Sequence, residues 1–225
     1  SSRGGPYLPG PWGVSTRKDD KIYLHVFRWP ADNILKLPEL PGMKVKHVRQ
    51  LSGGAINYNQ NKDAISIQIL EECKQDIVTS IELQMSASVM DINPIYLQEP
   101  LTSKATITAS HSKDDVWKLT DYDATTTWLA EKGKNEGDIW IEAAFEETVT
   151  IASVVTGRGD EWVPRHNPEL QIPDGKGGWK TVFAWKPKWA PVKFLDEPVT
   201  TDKVRLKIGG TSTYYLAEFE LYAPL

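Results

Sequence analysis

Short runs of alternating apolar and polar residues recur along the chain, and each predicts a strand with one face turned inward. In Ile22-Tyr23-Leu24-His25-Val26-Phe27, the residues Ile22, Leu24 and Val26 share one face, and aromatic Tyr23 and Phe27 lie on the other. Met43-Lys44-Val45-Lys46-His47-Val48 alternates, and so does Ala64-Ile65-Ser66-Ile67-Gln68-Ile69. Residues 77–83 give another run. Lys18-Asp19-Asp20, Gly53-Gly54 and Asn59-Gln60-Asn61 separate these runs with turn chemistry. Residues 91–103 contain Pro94 and Pro100 and lose the alternation, which predicts a boundary. A second set begins with Ala105-Thr106-Ile107-Thr108-Ala109. It continues through 139–145, 149–155, 169–172, 179–185, 204–208 and 216–222. No long segment has a helical period, and no repeat or low-complexity tract is found.

The pattern predicts an all-β chain of two consecutive antiparallel β-sandwiches, the second a jelly roll. Residues 1–18 are rich in glycine and proline and read as an extended connector. A phosphate-binding loop is disfavoured there, because no helix pattern follows. The domains then run 19–95 and 104–225, with a linker at 96–103.

Composition narrows the function classes. The 225 residues are 40% hydrophobic and 25% charged, as in ordinary globular proteins. A net charge of −4 with scattered basic residues gives no nucleic-acid surface. No apolar run is long enough for a membrane-spanning helix, so membrane insertion is not expected. Cys73 is the single cysteine, which excludes an internal disulfide and paired-cysteine zinc sites. The opening Ser1-Ser2-Arg3-Gly4-Gly5-Pro6 reads as the middle of a longer polypeptide. Of nine tryptophans, seven lie between Trp117 and Trp189. Core packing is the ordinary use of an indole, but such density also suits sugar binding, where a ring face packs on a pyranose.

Three stretches carry candidate chemistry. In Leu119-Thr120-Asp121-Tyr122-Asp123-Ala124-Thr125-Thr126-Thr127-Trp128, two carboxylates alternate on a tight loop. Asp121, Asp123 and Thr126, with Glu218 from the last strand, could meet around a hard cation of calcium type. The plainer alternative is that the aspartates satisfy turn amides, with Trp128 entering the core. The second stretch, residues 157–167, gathers two arginines, an indole, a histidine, two carboxylates and an amide. Arg158, Trp162, Arg165, His166 and Asn167 are candidate sugar contacts, and a salt-bridged packing loop is the alternative. Its Arg158-Gly159-Asp160 matches an integrin-binding tripeptide, read here as a polar loop. The third, Trp185-Lys186-Pro187-Lys188-Trp189, is read as packing, and Tyr214-Tyr215 as a lining of the same end. His25 and His47 stand on separate strands and make a weak metal pair. No Ser/His/Asp or Cys/His set is persuasive.

The first part resembles the C-terminal β-sandwich of family 29 glycoside hydrolases, the α-L-fucosidases. The resemblance rests on Gly4-Gly5-Pro6-Tyr7, Pro9-Gly10 and Trp12-Gly13-Val14-Ser15-Thr16-Arg17-Lys18 running into Ile22-Tyr23-Leu24-His25, and covers about residues 1–95. The second part is similar to the coagulation-factor-5/8 C-terminal (discoidin) domain, a galactose-binding-like family of carbohydrate-binding modules. The matching residues are Asp121-Tyr122-Asp123 with Thr126 and Trp128, Asp138-Ile139-Trp140-Ile141-Glu142, and Asp174-Gly175 with Trp179. Val204-Arg205-Leu206 and Ala217-Glu218-Phe219-Glu220-Leu221-Tyr222 complete the set. That family usually has glycine where Tyr122 stands.

The resemblance implies a non-catalytic region of a secreted or periplasmic α-L-fucosidase. It implies a galactose-binding-like jelly roll with a structural Ca2+. It also implies a carbohydrate partner, a fucosylated or galactose-containing glycan, on loops at one end. The parent catalytic barrel would be a second partner, buttressed by the first sandwich. Such a barrel takes about 250 residues, so hydrolysis by this chain alone is not expected. The alternative class is a stand-alone cell-surface or protein-interaction module with no sugar binding.

Overall fold

The computed structural model of the chain describes residues 3–123, 125–131, 137–157, 168–185, 192–209 and 213–225. It is all-β, and every strand ladder is antiparallel. Two compact units follow one another, Ser1–Glu99 with Leu225, and Pro100–Pro224.

The first unit contains β1 (Arg3–Gly4), β2 (Gly13–Lys18), β3 (Lys21–Val26), β4 (Ile34–Pro38), β5 (Val45–Gln50), β6 (Ile56–Gln60), β7 (Ala64–Ile69) and β8 (Thr79–Met85). One sheet has the order β1-β2-β3-β8-β5 and the other β4-β7-β6. Alternation in sequence becomes alternation in burial. Ile22, Leu24 and Val26 of β3 are buried against Leu35 and Leu37 of β4, Ile65 and Ile67 of β7, and Ile81, Leu83 and Met85 of β8. Burying each such side chain stabilises the fold by about 1.5–3 kcal/mol. On the outer face of the larger sheet, Glu82 is paired with Lys21 at 3.3 Å and Arg49 at 3.0 Å.

Residues 3–18 are not a connector. β1 and β2 extend the larger sheet, and Tyr7 and Trp12 are both 1% exposed in the core. Glycine and proline occur here because the chain reverses between the pairing segments β1 and β2, with a turn at Pro11–Trp12. The Tyr7 amide donates to Ser15 Oγ at 3.1 Å, which locks that turn to β2. Strands β4 and β6 also escape the pattern. Both are edges of the three-stranded sheet, where a terminal proline in β4 and the polar sequence of β6 are tolerated.

The second unit contains β9 (Thr106–Ala109), β10 (Trp128–Ala130), β11 (Ile139–Thr156), β12 (Glu169–Pro173), β13 (Trp179–Ala184), β14 (Val192–Ile208), β15 (Tyr214–Leu216) and β16 (Phe219–Tyr222). Its larger sheet runs β13-β12-β14-β11-β16, with β9 also on β11, and a second sheet pairs β10 with β15. The stretch 96–103, read as a linker, runs into a 3-10 turn at Leu101–Lys104 with Thr102 buried. The two runs at 139–145 and 149–155 are one strand. Its register on β14 shifts between Ala144 and Val149, across the exposed residues 146–148. The core is built from Leu119, Trp128, Ile141, Leu170, Leu206, Leu216, Phe219 and Leu221, among others.

The outer face of this sheet uses two of the tryptophans. The Arg205 guanidinium carbon lies 4.0 Å from the Trp179 ring centroid and 5.0 Å from that of Trp140. Buried Glu142 is paired with Arg205, and with Lys203 at 2.9 Å. No helix among the described residues is long and apolar enough to cross a membrane.

Candidate functional site

The Asp121 loop and Glu218 are brought together by strand pairing. A 3-10 helix at Lys113–Leu119 ends on Leu119, which is fully buried. At the other end of the loop, Trp128 is also fully buried and opens β10. Two core side chains therefore anchor the loop between them. In β10, Trp128 pairs with Leu216 of β15. Glu218 follows two residues later, just before β16, where Phe219 pairs with Thr156 at the end of β11. The Gly157 amide then donates to the Glu218 carbonyl at 2.9 Å. A side chain at position 157 would put its Cβ 2.6 Å from the Glu218 Cβ, so this close approach requires glycine.

Within the loop the hydrogen bonds sort the donors. Asp121 Oδ2 accepts from Thr126 Oγ1 at 2.7 Å, and its Oδ1 accepts from the Asp123 amide at 3.1 Å. The Asp123 carboxylate is turned outward: its Oδ1 accepts from the Thr125 amide at 2.9 Å and hydroxyl at 2.6 Å. These bonds to Thr125 hold its pKa below the usual carboxylate value. What Asp123 presents to Thr126 is its backbone carbonyl, which accepts from the Thr126 amide at 2.9 Å and hydroxyl at 3.1 Å. Tyr122 has φ of 60°, the left-handed conformation that glycine adopts without cost. Tyrosine therefore takes the conformation that a glycine would give this turn.

Glu218 is the unusual group. The residue is 6% exposed, and both carboxylate oxygens are buried beside the Tyr122 amide and the Asp121 carboxyl group. Burial pushes its pKa up to about 8. The nearby charges of Glu220 and Asp121 add to the rise, and the Tyr122 backbone amide opposes it. Glu220 is raised by burial too, opposed by the Tyr222 hydroxyl, which donates to it at 2.7 Å. A buried carboxylate beside a second carboxylate is the arrangement that a hard cation relieves. The donor set fits such an ion: two carboxylates, a threonine hydroxyl and a backbone carbonyl, all oxygen. No group of three or more His, Cys, Asp or Glu side chains in metal-holding geometry occurs among the described residues.

The other candidates separate. Arg158, Trp162, Arg165, His166 and Asn167 lie outside the described residues, as do residues 186–191 of the second tryptophan stretch. Trp185 is 4% exposed and meets Phe183 edge to face at 4.9 Å, a packing role. Tyr214 is buried, whereas its neighbour Tyr215 is exposed opposite Leu129. His25 meets Ser80 at 3.1 Å. In the sheet, His25 pairs with Ser80 and His47 with Gln84, four positions apart on β8. Asp174 caps a hairpin turn, its Oδ1 accepting from the Lys176 and Gly178 amides at 2.8 Å each. Sequence reasoning missed Gly157 and the charge of Glu220. A glycine at a strand end and a second carboxylate two residues from the first were the available signals.

No family model matches the chain. No curated protein matches it. Among solved structures, the chain is similar to chitosan-binding module 2 of a chitosanase/glucanase from Paenibacillus sp. IK-5, solved in complex with chitotriose. The identity is 20%, over 53% of this chain and 97% of that one, with a TM-score of 0.43. It is similar to the family 32 carbohydrate-binding module of EndoD from Streptococcus pneumoniae at 15% identity, over 56% and 99%, with a TM-score of 0.45. It is also similar to an F5/8 type C domain from Bacteroides fragilis at 17% identity, over 54% and 93%, with a TM-score of 0.44. Likenesses of this depth carry no function across.

Proposed function

We propose that this chain is the non-catalytic C-terminal region of a secreted or periplasmic α-L-fucosidase, and that its second unit is a carbohydrate-binding module closed by a calcium-type ion. The observation that supports this reading is the meeting of Asp121 and Thr126 with the buried Glu218 carboxylate, across the Trp128–Leu216 pair. Asp121, Thr126, Glu218 and the Asp123 carbonyl would hold the ion. Its chemistry there is charge neutralisation, which lets Glu218 stay ionised while buried. The ion ties the first loop of the unit to its last strand, so the loops at that end keep one conformation.

Sugar contact is assigned to Arg158, Trp162, Arg165, His166 and Asn167. Planar donors there suit vicinal hydroxyls and the indole suits a pyranose face. The first unit serves as a structural sandwich beside the catalytic barrel. Catalysis belongs to that barrel, since a retaining glycosidase needs two carboxylates about 5 Å apart in a cleft. A glycan microarray with the purified chain tests the sugar assignment. Binding to fucosylated or galactose-terminated glycans is expected, reduced at least tenfold by Trp162→Ala. Binding that survives this substitution unchanged would remove that loop from the site, and no binding to any glycan would leave the unit a structural module.

A further inference from the structure

The exposed large apolar side chains of the first unit are Phe27, Leu51, Tyr58, Leu70 and Ile77. All but Tyr58 gather at one end of the sandwich. Phe27 follows β3, whose last residue, Val26, pairs with Thr79, the first of β8. Ile77 stands two residues before Thr79. Leu51 follows β5, and its amide donates to the Ser80 carbonyl at 2.9 Å. Leu70 follows β7 and leads into a 3-10 turn at Glu71–Cys73. The Cys73 carbonyl accepts from Gln50 Nε2 at 2.7 Å, which draws that turn to the end of β5. Trp29 Nε1 and the Gln75 amide both donate to the Thr79 hydroxyl, at 3.4 and 3.2 Å. The strand ends and the loops between them therefore close on one another.

Ile77 is 83% exposed, Phe27 56%, Leu70 50% and Leu51 46%. An isoleucine that open contributes nothing to its own core, and a cluster of four marks an interaction surface rather than scattered exposure. The rim is acidic. Asp32, Glu71, Glu72 and Asp76 are exposed around it, against the cations Arg28 and Lys74, and Lys74 is paired with Glu71 at 2.7 Å.

We propose that this end of the first sandwich is a docking surface for another folded protein, whose contact face has an apolar centre and a rim of lysine or arginine. It goes beyond the sugar-binding role of the second unit and does not depend on it. Charge complementarity selects the occupant. A second copy of this chain, docking by a two-fold contact, would set acidic rim against acidic rim. A neutral polysaccharide has no cations to answer the carboxylates.

The test uses the 15N-labelled chain and two helical amphipathic peptides, one of leucine and lysine, the other of leucine and glutamate. The lysine peptide is expected to shift amides in 27–33, 50–55 and 70–79, saturably, and to bind at least tenfold more tightly than the glutamate peptide. Ile77→Lys and, separately, Leu70→Lys each lower that affinity at least fivefold with the thermal midpoint unchanged. Glu72→Lys combined with Asp76→Lys narrows the preference between the two peptides. Equal affinity for both peptides, shifts located elsewhere, or self-association through the same amides in sedimentation would overturn the proposal.

Discussion

Glu218 is a carboxylate placed where ionisation is costly unless a cation joins it. Its pKa is higher in the folded chain, about 8, than its ordinary 4.5. The protonated form is therefore the one that stabilises the ion-free fold. That contribution is fully present below the ordinary value and is lost as pH rises through about 8. Without divalent ions, the thermal midpoint should fall between pH 5 and pH 8, and Glu218→Gln should flatten the slope. A slope that persists in the variant would assign it to another group. The Tyr122 φ of 60° disfavours any branched side chain. Tyr122→Val should cost about 1–2 kcal/mol in urea unfolding, while Tyr122→Gly should be neutral or stabilising within about 1 kcal/mol. Equal losses for both would mean that the phenol ring, and not the backbone, sets the stability of the turn.

Elements are held by alternation inside and by paired charges outside. Burial alone would raise the pKa of Glu142, but hydrogen bonds and charge from Lys203 and Arg205 outweigh it and leave it lowered. Its contribution is thus present above the ordinary carboxylate value and lost on acidification through the folded one. Glu142→Ala should destabilise the second unit by about 1–3 kcal/mol at pH 7, because Arg205 loses its carboxylate in the half-buried stack between Trp140 and Trp179. A loss below about 0.5 kcal/mol would show the stack to be self-sufficient. Strands with one buried face were legible in the sequence, β3 and β7 among them, because period-two burial leaves a period-two pattern. The edge strands β4 and β6 were not. β6 buries no residue and so carries no hydrophobic signal, and the glycines and prolines before β2 concealed a core tryptophan. In the loop, Thr126 donates to Asp121. That the Asp123 carboxylate turns outward to Thr125 was not legible, because residue type does not fix which oxygen of an aspartate faces the turn.

At the scale of the molecule, two units with separate cores follow each other in the chain. In the second, the Asp121 loop lies near Glu218, and the central claim is an oxygen-ligand ion held there. The most direct measurement is thermal unfolding at pH 7.5 in calcium and in a chelator, with wild type and Glu218→Gln side by side. A ligand that binds only the native state stabilises by RT ln(1 + [L]/Kd), about 2.7 kcal/mol at a hundredfold excess over Kd. The predicted result is a drop of several degrees for wild type on chelation, restored by added calcium, and no drop for Glu218→Gln. An identical midpoint in calcium and chelator for wild type would contradict the account, leaving Asp121 and Thr126 as turn chemistry and Glu218 as a buried, protonated acid.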